Sequence, residues 1–239
     1  MSSRQQEKEK RKEERLARER ADAARIKRLR LMQMAVGGLL AAAAIAAVAL
    51  AVTKSGGGSS GATPKGSATG VAIPKQQIAD LAAATKAAKC AVHTYPIEGR
   101  NHVTGQVKYK TNPPTSGNHN PTPSLDGVYD PGNTPAKENY VHTLEHGRVE
   151  IQYAPGTTRH RIAQLETLQA EELNGIPGYK TLLFQNNTNM KYAVAATTWG
   201  HLIGCSKFND RVFDALRAFR KQYVDKAPES SAQPPNNVG

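Results

Sequence analysis

Residues 148–173 read RVEIQYAPGTTRHRIAQLETLQAEEL, and their reading decides the fold class. Val149, Ile151 and Tyr153 alternate with Arg148, Glu150 and Gln152, which predicts a half-buried strand. Pro155-Gly156 then breaks the chain. Over 159–173, Ile162, Leu165 and Leu168 recur at helical spacing, with Thr157 or Thr158 as cap and Asn174-Gly175 as stop. A strand followed by a helix is thus the local unit.

Working outward, further strands are expected at Gly105–Lys110, Thr181–Gln185 and Lys191–Thr198. Helices are expected at 75–89, with Ile78, Leu81, Thr85 and Ala88 on one side, and at 209–224. The latter repeats Val212, Leu216, Phe219 and Tyr223 at i, i+4, i+7 and i+11. Few strands, irregularly interleaved with about three helices, predict a small α+β domain with an antiparallel or mixed sheet over 75–225. Residues 111–135 are rich in Pro, Gly, Asn and Thr and read as a long loop, often a place of function. The Asn186, Asn187 and Asn189 cluster reads as a turn, and Trp199 as a core or pocket wall.

The 239 residues carry 32 Lys and Arg against 20 Asp and Glu, unevenly spread. Residues 1–30 hold 12 basic and 6 acidic groups, whereas 75–239 hold 18 and 14. The basic character belongs mostly to the N-terminal arm, which excludes a nucleic-acid binder as the reading of the whole chain. Residues 31–53, LMQMAVGGLLAAAAIAAVALAVT, are uncharged and long enough for a single transmembrane helix. Arg25, Lys27, Arg28 and Arg30 precede this span and only Lys54 closely follows, which places the N-terminus in the cytoplasm and the domain outside. A cleaved signal peptide is the competing reading, but its charged and apolar regions are usually much shorter. The arm reads as an exposed helix that sets topology, or else one that touches anionic lipid. Residues 54–74 read as a Gly/Ser-rich flexible linker and 226–239 as a disordered tail.

Cys90 and Cys205 are the only cysteines. In an oxidising compartment the simplest pairing is a disulfide joining the end of the first helix to the loop before the last. Thiolate ligation of a soft metal is the alternative, without CxxC spacing to support it.

His142-Thr143-Leu144-Glu145-His146 matches H-x-x-E-H, an inverted zinc-peptidase signature with the glutamate as base. Gly147 and the strand at Arg148 leave room only for a short helical turn from about Pro135, with Thr134 as cap. Read as a strand, His142 and His146 still share a face. A third ligand is required, and His119 in the loop PPTSGNH is the best placed. His93, His102 and His201 are further choices. Glu145 would be a fourth ligand or would orient an imidazole.

The runs PPTSGNHNPTPSLDGVYD, VHTLEHGRVEIQYAPG and AVAATTWG together resemble the bacterial domain-of-unknown-function family 3105. The matching elements are Ser116, Gly117, His119 and Pro121, then His142, Leu144, Glu145, His146 and Gly147. The resemblance spans about 75–225. It implies a single-pass membrane protein with an exported C-terminal domain and carries no established activity. Its recurring histidines favour a site at His119, His142 and His146.

Three functions follow as expectations. The first is a membrane-anchored extracytoplasmic domain binding copper or zinc through His119, His142, His146 and Glu145. The second is a metal-free module that contacts an envelope protein. The third is a zinc hydrolase with Glu145 as base, which requires a continuous helix through 142–146 and an open metal position beside a cleft, and which a strand there would exclude.

Overall fold

The computed structural model describes residues 62–65 and 70–231. The expected arm 1–30 and membrane span 31–53 lie outside them. Among the described residues no helix is long and apolar enough to cross a membrane.

The elements run α1 (Leu81–Ala88), β1 (Cys90–Thr94), β2 (Gly127–Val128), α2 (Lys137–Glu145), β3 (Val149–Tyr153), α3 (Arg159–Ala170), β4 (Glu172–Leu173), β5 (Ile176–Pro177), β6 (Thr181–Gln185), β7 (Val194–Thr198), β8 (His201–Cys205) and α4 (Arg211–Tyr223). This is an α+β domain with a mixed six-stranded sheet in the order β1-β8-β7-β3-β6-β2. β3 pairs parallel with β6 and antiparallel with β7.

β3 is central, and all five of its residues are buried, in place of the half-buried strand expected. The alternation survives because the two faces bury different things. Val149, Ile151 and Tyr153 join the main core with α1, α3 and α4. On the other face Leu182 and Phe184 pack with Tyr140, Val141 and Leu144 of α2 and with Trp199. Glu150 also lies buried, accepting from Thr197 Oγ1 at 3.1 Å and Gln152 Nε2 at 3.3 Å. Burial raises its pKa well above the carboxylate range.

Several expectations need correction. No strand forms at Gly105–Lys110, where side chains take the backbone donors. Val107 N donates to Glu138 Oε1 at 2.8 Å and Lys110 N to Glu98 Oε2 at 2.8 Å. The first helix starts only at Leu81, because Asp80 caps it by accepting from Ala83 N, and Gln77 N is drawn to Asp214 of α4. The third ends at Ala170. Asn174-Gly175 is instead the two-residue turn between β4 and β5, with both residues at positive φ, as tight hairpins require. Cys205 closes β8 rather than lying in a loop. It faces Cys90 in register and forms the Cys90–Cys205 disulfide across β1 and β8. Parts of both expected flexible ends are held. Lys65 bridges Val128 and pairs with Asp130 and Glu166, while residues 225–230 bond to the end of α2.

Candidate metal centre

α2 carries the H-x-x-E-H motif in a helix of nine residues, which bears out the helical reading that began near Pro135, though the helix is longer than a single turn, and sets the strand aside. Its N-cap is Ala136, without a side-chain bond, and Thr134 Oγ1 donates instead to Gln185 O. His142 and Glu145 lie within the helix and His146 is its C-cap. Positions i and i+4 share a face, so both imidazoles point the same way. Arg148, itself buried, donates to His146 O at 3.2 Å and to Asp126 at 2.9 Å, fixing the helix end.

The 111–135 loop supplies the facing wall. His119 is fully buried and sits between Gly117, whose carbonyl accepts from His119 Nδ1 at 2.8 Å, and Glu145, whose Oε2 lies 3.1 Å from Nε2. His102 bridges to His119, which brings a fourth imidazole into the group. Ring centroids are 4.6 Å apart for His119–His142, 4.7 Å for His102–His142 and 4.6 Å for His142–His146. Trp199 stands edge-on to His119 at 6.1 Å.

Two tautomers follow from the hydrogen bonds. A backbone carbonyl only accepts, so His142 Nδ1, 2.7 Å from Asn120 O, and His119 Nδ1 must each carry the proton. Both Nε2 atoms therefore present lone pairs. His119 Nε2 is buried without a hydrogen-bond partner, although Glu145 Oε2 stands 3.1 Å away. His142 Nε2 lies 3.0 Å from His146 Nε2, and His146 Nδ1 is likewise buried and unpartnered. Ligands of a tetrahedral zinc at about 2.05 Å lie roughly 3.3 Å apart, close to this spacing. Second-side bonding of an imidazole to a carbonyl is also what metal-ligating histidines ordinarily show.

Burial keeps the imidazoles neutral. It lowers His142 to about 4 and also depresses His119 and His146, with neighbouring imidazoles and Arg148 adding to the effect. Burial, reinforced by Glu229, raises Glu145 to about 7. The arrangement is one of neutral lone-pair donors beside a carboxyl group whose proton a bound cation would displace.

All four expected residues, His119, His142, Glu145 and His146, come together here. The potential ligand atoms form two overlapping groups that share His142: His102, His119 and His142, and His142, His146 and Glu229; Glu145 belongs to neither, and His119 and His146 fall in different groups. His93 and His201 belong elsewhere. His93 stacks on Tyr95, and His201 bonds Thr94 and stacks on Tyr223. Sequence reasoning missed Glu229 altogether, because it sits in a polar terminal stretch with no motif. His102 carried only a weak signal, as one of several loop histidines.

A family model described as "Protein of unknown function (DUF3105)" matches residues 102–236, more than half of the chain. The span starts later and ends later than the resemblance suggested. It contains His102, His119, His142, Glu145, His146 and Glu229. No curated protein and no solved structure matches the chain.

Proposed function

We propose, from the premise that the chain belongs to the DUF3105 family, that its folded domain binds one copper or zinc ion through a histidine site centred on His142. His119 and His146 flank that ligand, and Glu145 orients the imidazoles or joins them. The reading includes residues 31–53 as a membrane anchor that holds the domain outside the cytoplasm. The observation that carries the metal site is the convergence of buried Nε2 atoms whose other ring nitrogens are committed to backbone carbonyls. His142 Nε2 offers a single lone pair, which faces His146 Nε2 at 3.0 Å, and serves both ligand groups, so one ion is bound rather than two. Imidazole suits both metals and does not choose between them.

The helix runs through His142 to Glu145 with His146 as its cap, so the strand that would exclude a zinc hydrolase does not form there. Under that second reading Glu145 is the base, and metal-dependent turnover is required besides binding.

The test is elemental analysis of the detergent-purified full-length protein beside a His142→Ala/His146→Ala double variant. About one copper or zinc per chain, lost in the variant, is expected. Absence of metal from both, after incubation with either ion, would favour the metal-free envelope module and direct the search to protein partners.

A further inference from the structure

We infer that Glu229 is a ligand of the same ion and that the C-terminal strap bearing it, residues 225–231, covers the site, so that the ion exchanges when the strap lifts. The inference rests on the metal-binding reading above.

The strap lands on the last residues of the motif. Glu229 N donates to Glu145 O at 3.0 Å and Asp225 N to Gly147 O at 2.9 Å. These carbonyls close α2 or follow it at once, and the strap provides partners that the ended helix cannot. The Asp225 carboxylate accepts from Tyr179 OH at 3.0 Å and from Lys180 Nζ, which also donates to Ser230 O. Ala227 packs against the Tyr140–Leu144 cluster. Gly147 is where the strap crosses. Its φ is +77°, and a Cβ there would lie 2.8 Å from Ser230 Cβ and 3.0 Å from Asp225 Cα.

The crossing carries one carboxylate to the imidazoles. Glu229 Oε2 lies 3.5 Å from His146 Nε2, and its donor atom falls within 4.8 Å of those of both His142 and His146. His146 and His142 are nearly fully buried, whereas the Glu229 side chain is 52 % exposed. The strap therefore stands between two buried ligands and solvent. It is fastened mainly by a handful of polar contacts, which suits an element that opens locally without unfolding the core.

The experiment uses the full-length protein, zinc and an added chelator. Zinc affinity and release rate are measured for wild type, Glu229→Gln and Asp225→Asn, with amide exchange of residues 225–231 followed with and without zinc. Glu229→Gln, a half-exposed near-isostere, is expected to bind about tenfold more weakly or worse and to release faster. Zinc should slow strap exchange in the wild type and fail to do so in Glu229→Gln. Asp225→Asn, which loosens an anchor but keeps every ligand, should speed release. Equal affinity, release and strap exchange in wild type and Glu229→Gln would overturn this inference alone. Failure of the wild type to bind zinc or copper would instead overturn the metal reading on which it stands. An unchanged metal-free thermal midpoint in each variant excludes misfolding as the cause.

Discussion

Replacing Glu145 with Gln should change how the metal-free protein's stability depends on pH, in a direction fixed by the site. Each tenfold change in proton affinity between folded and unfolded chains is worth about 1.4 kcal/mol. His142 is held at about 4 in the folded protein against 6.5 ordinarily, because burial disfavours its cation. Between those values the unfolded chain binds a proton that the folded one refuses. Stability therefore rises with pH across that window, by about 3 kcal/mol in all. Glu145 behaves oppositely. Its carboxyl is raised from 4.5 to about 7, so the folded chain keeps a proton that the unfolded chain has lost. Stability falls with pH across 4.5 to 7, again by about 3 kcal/mol. The two contributions offset each other over most of the acid range, and the depressed His119 and His146 tilt the sum toward rising stability. In Glu145→Gln the falling contribution is gone. Relative to wild type, the variant should gain stability progressively above pH 4.5, reaching about 3 kcal/mol near neutrality. Urea denaturation in chelating buffer, from pH 4 to 8 at constant m-value, measures this. A difference between the two proteins that stays constant with pH would refute the assignment of Glu145 as a protonated, buried partner of the histidines.

Three other outcomes are expected. Gly147→Ala combines a positive φ with a collision against the strap. It should cost at least about 2 kcal/mol, a fall of roughly 4–8 °C in the thermal midpoint. Reduction of Cys90–Cys205, or Cys205→Ser, opens a loop with a sequence separation of 115 and should cost about 4–5 kcal/mol in denaturant titrations of the oxidised and reduced protein. Glu150→Gln keeps a neutral group within reach of Thr197 and should change stability at pH 7 by less than about 1 kcal/mol. Glu150→Leu orphans the Thr197 hydroxyl donor and leaves Gln152 Nε2 only its 3.4 Å bond to Thr197 Oγ1, and should cost about 1–3 kcal/mol in the same assay.

What the sequence made legible followed from periodicity. β3, β6, α3 and α4 each show an apolar repeat over enough residues to stand out, and Thr158 does cap α3. α2 was legible only as a short turn from about Pro135, alongside a strand, for a physical reason. Seven of its nine residues are buried, so it shows no polar stripe, and its N-cap has no capping side chain. β8 was hidden because HLIGC offers little alternation, and its Gly204 is required only by Tyr192, which packs where a Cβ would stand. Asn174-Gly175 was visible but read as a helix stop, although an Asn-Gly pair is equally the signal of a tight hairpin. At the site, spacing alone aligned His142 with His146, and loop chemistry singled out His119. The contribution of Glu229 depends on a chain crossing that no local pattern records.

The central claim is that His142 and its neighbours hold one metal ion. X-ray absorption at the metal edge of the zinc- or copper-loaded full-length protein tests it most directly. The account predicts a first shell of nitrogen and oxygen at about 2.0–2.1 Å for zinc, with outer-shell imidazole scattering from at least two histidines and no sulfur. That pattern should disappear in the His142→Ala/His146→Ala variant. A shell of solvent oxygens only, or one unchanged by the double substitution, would contradict it.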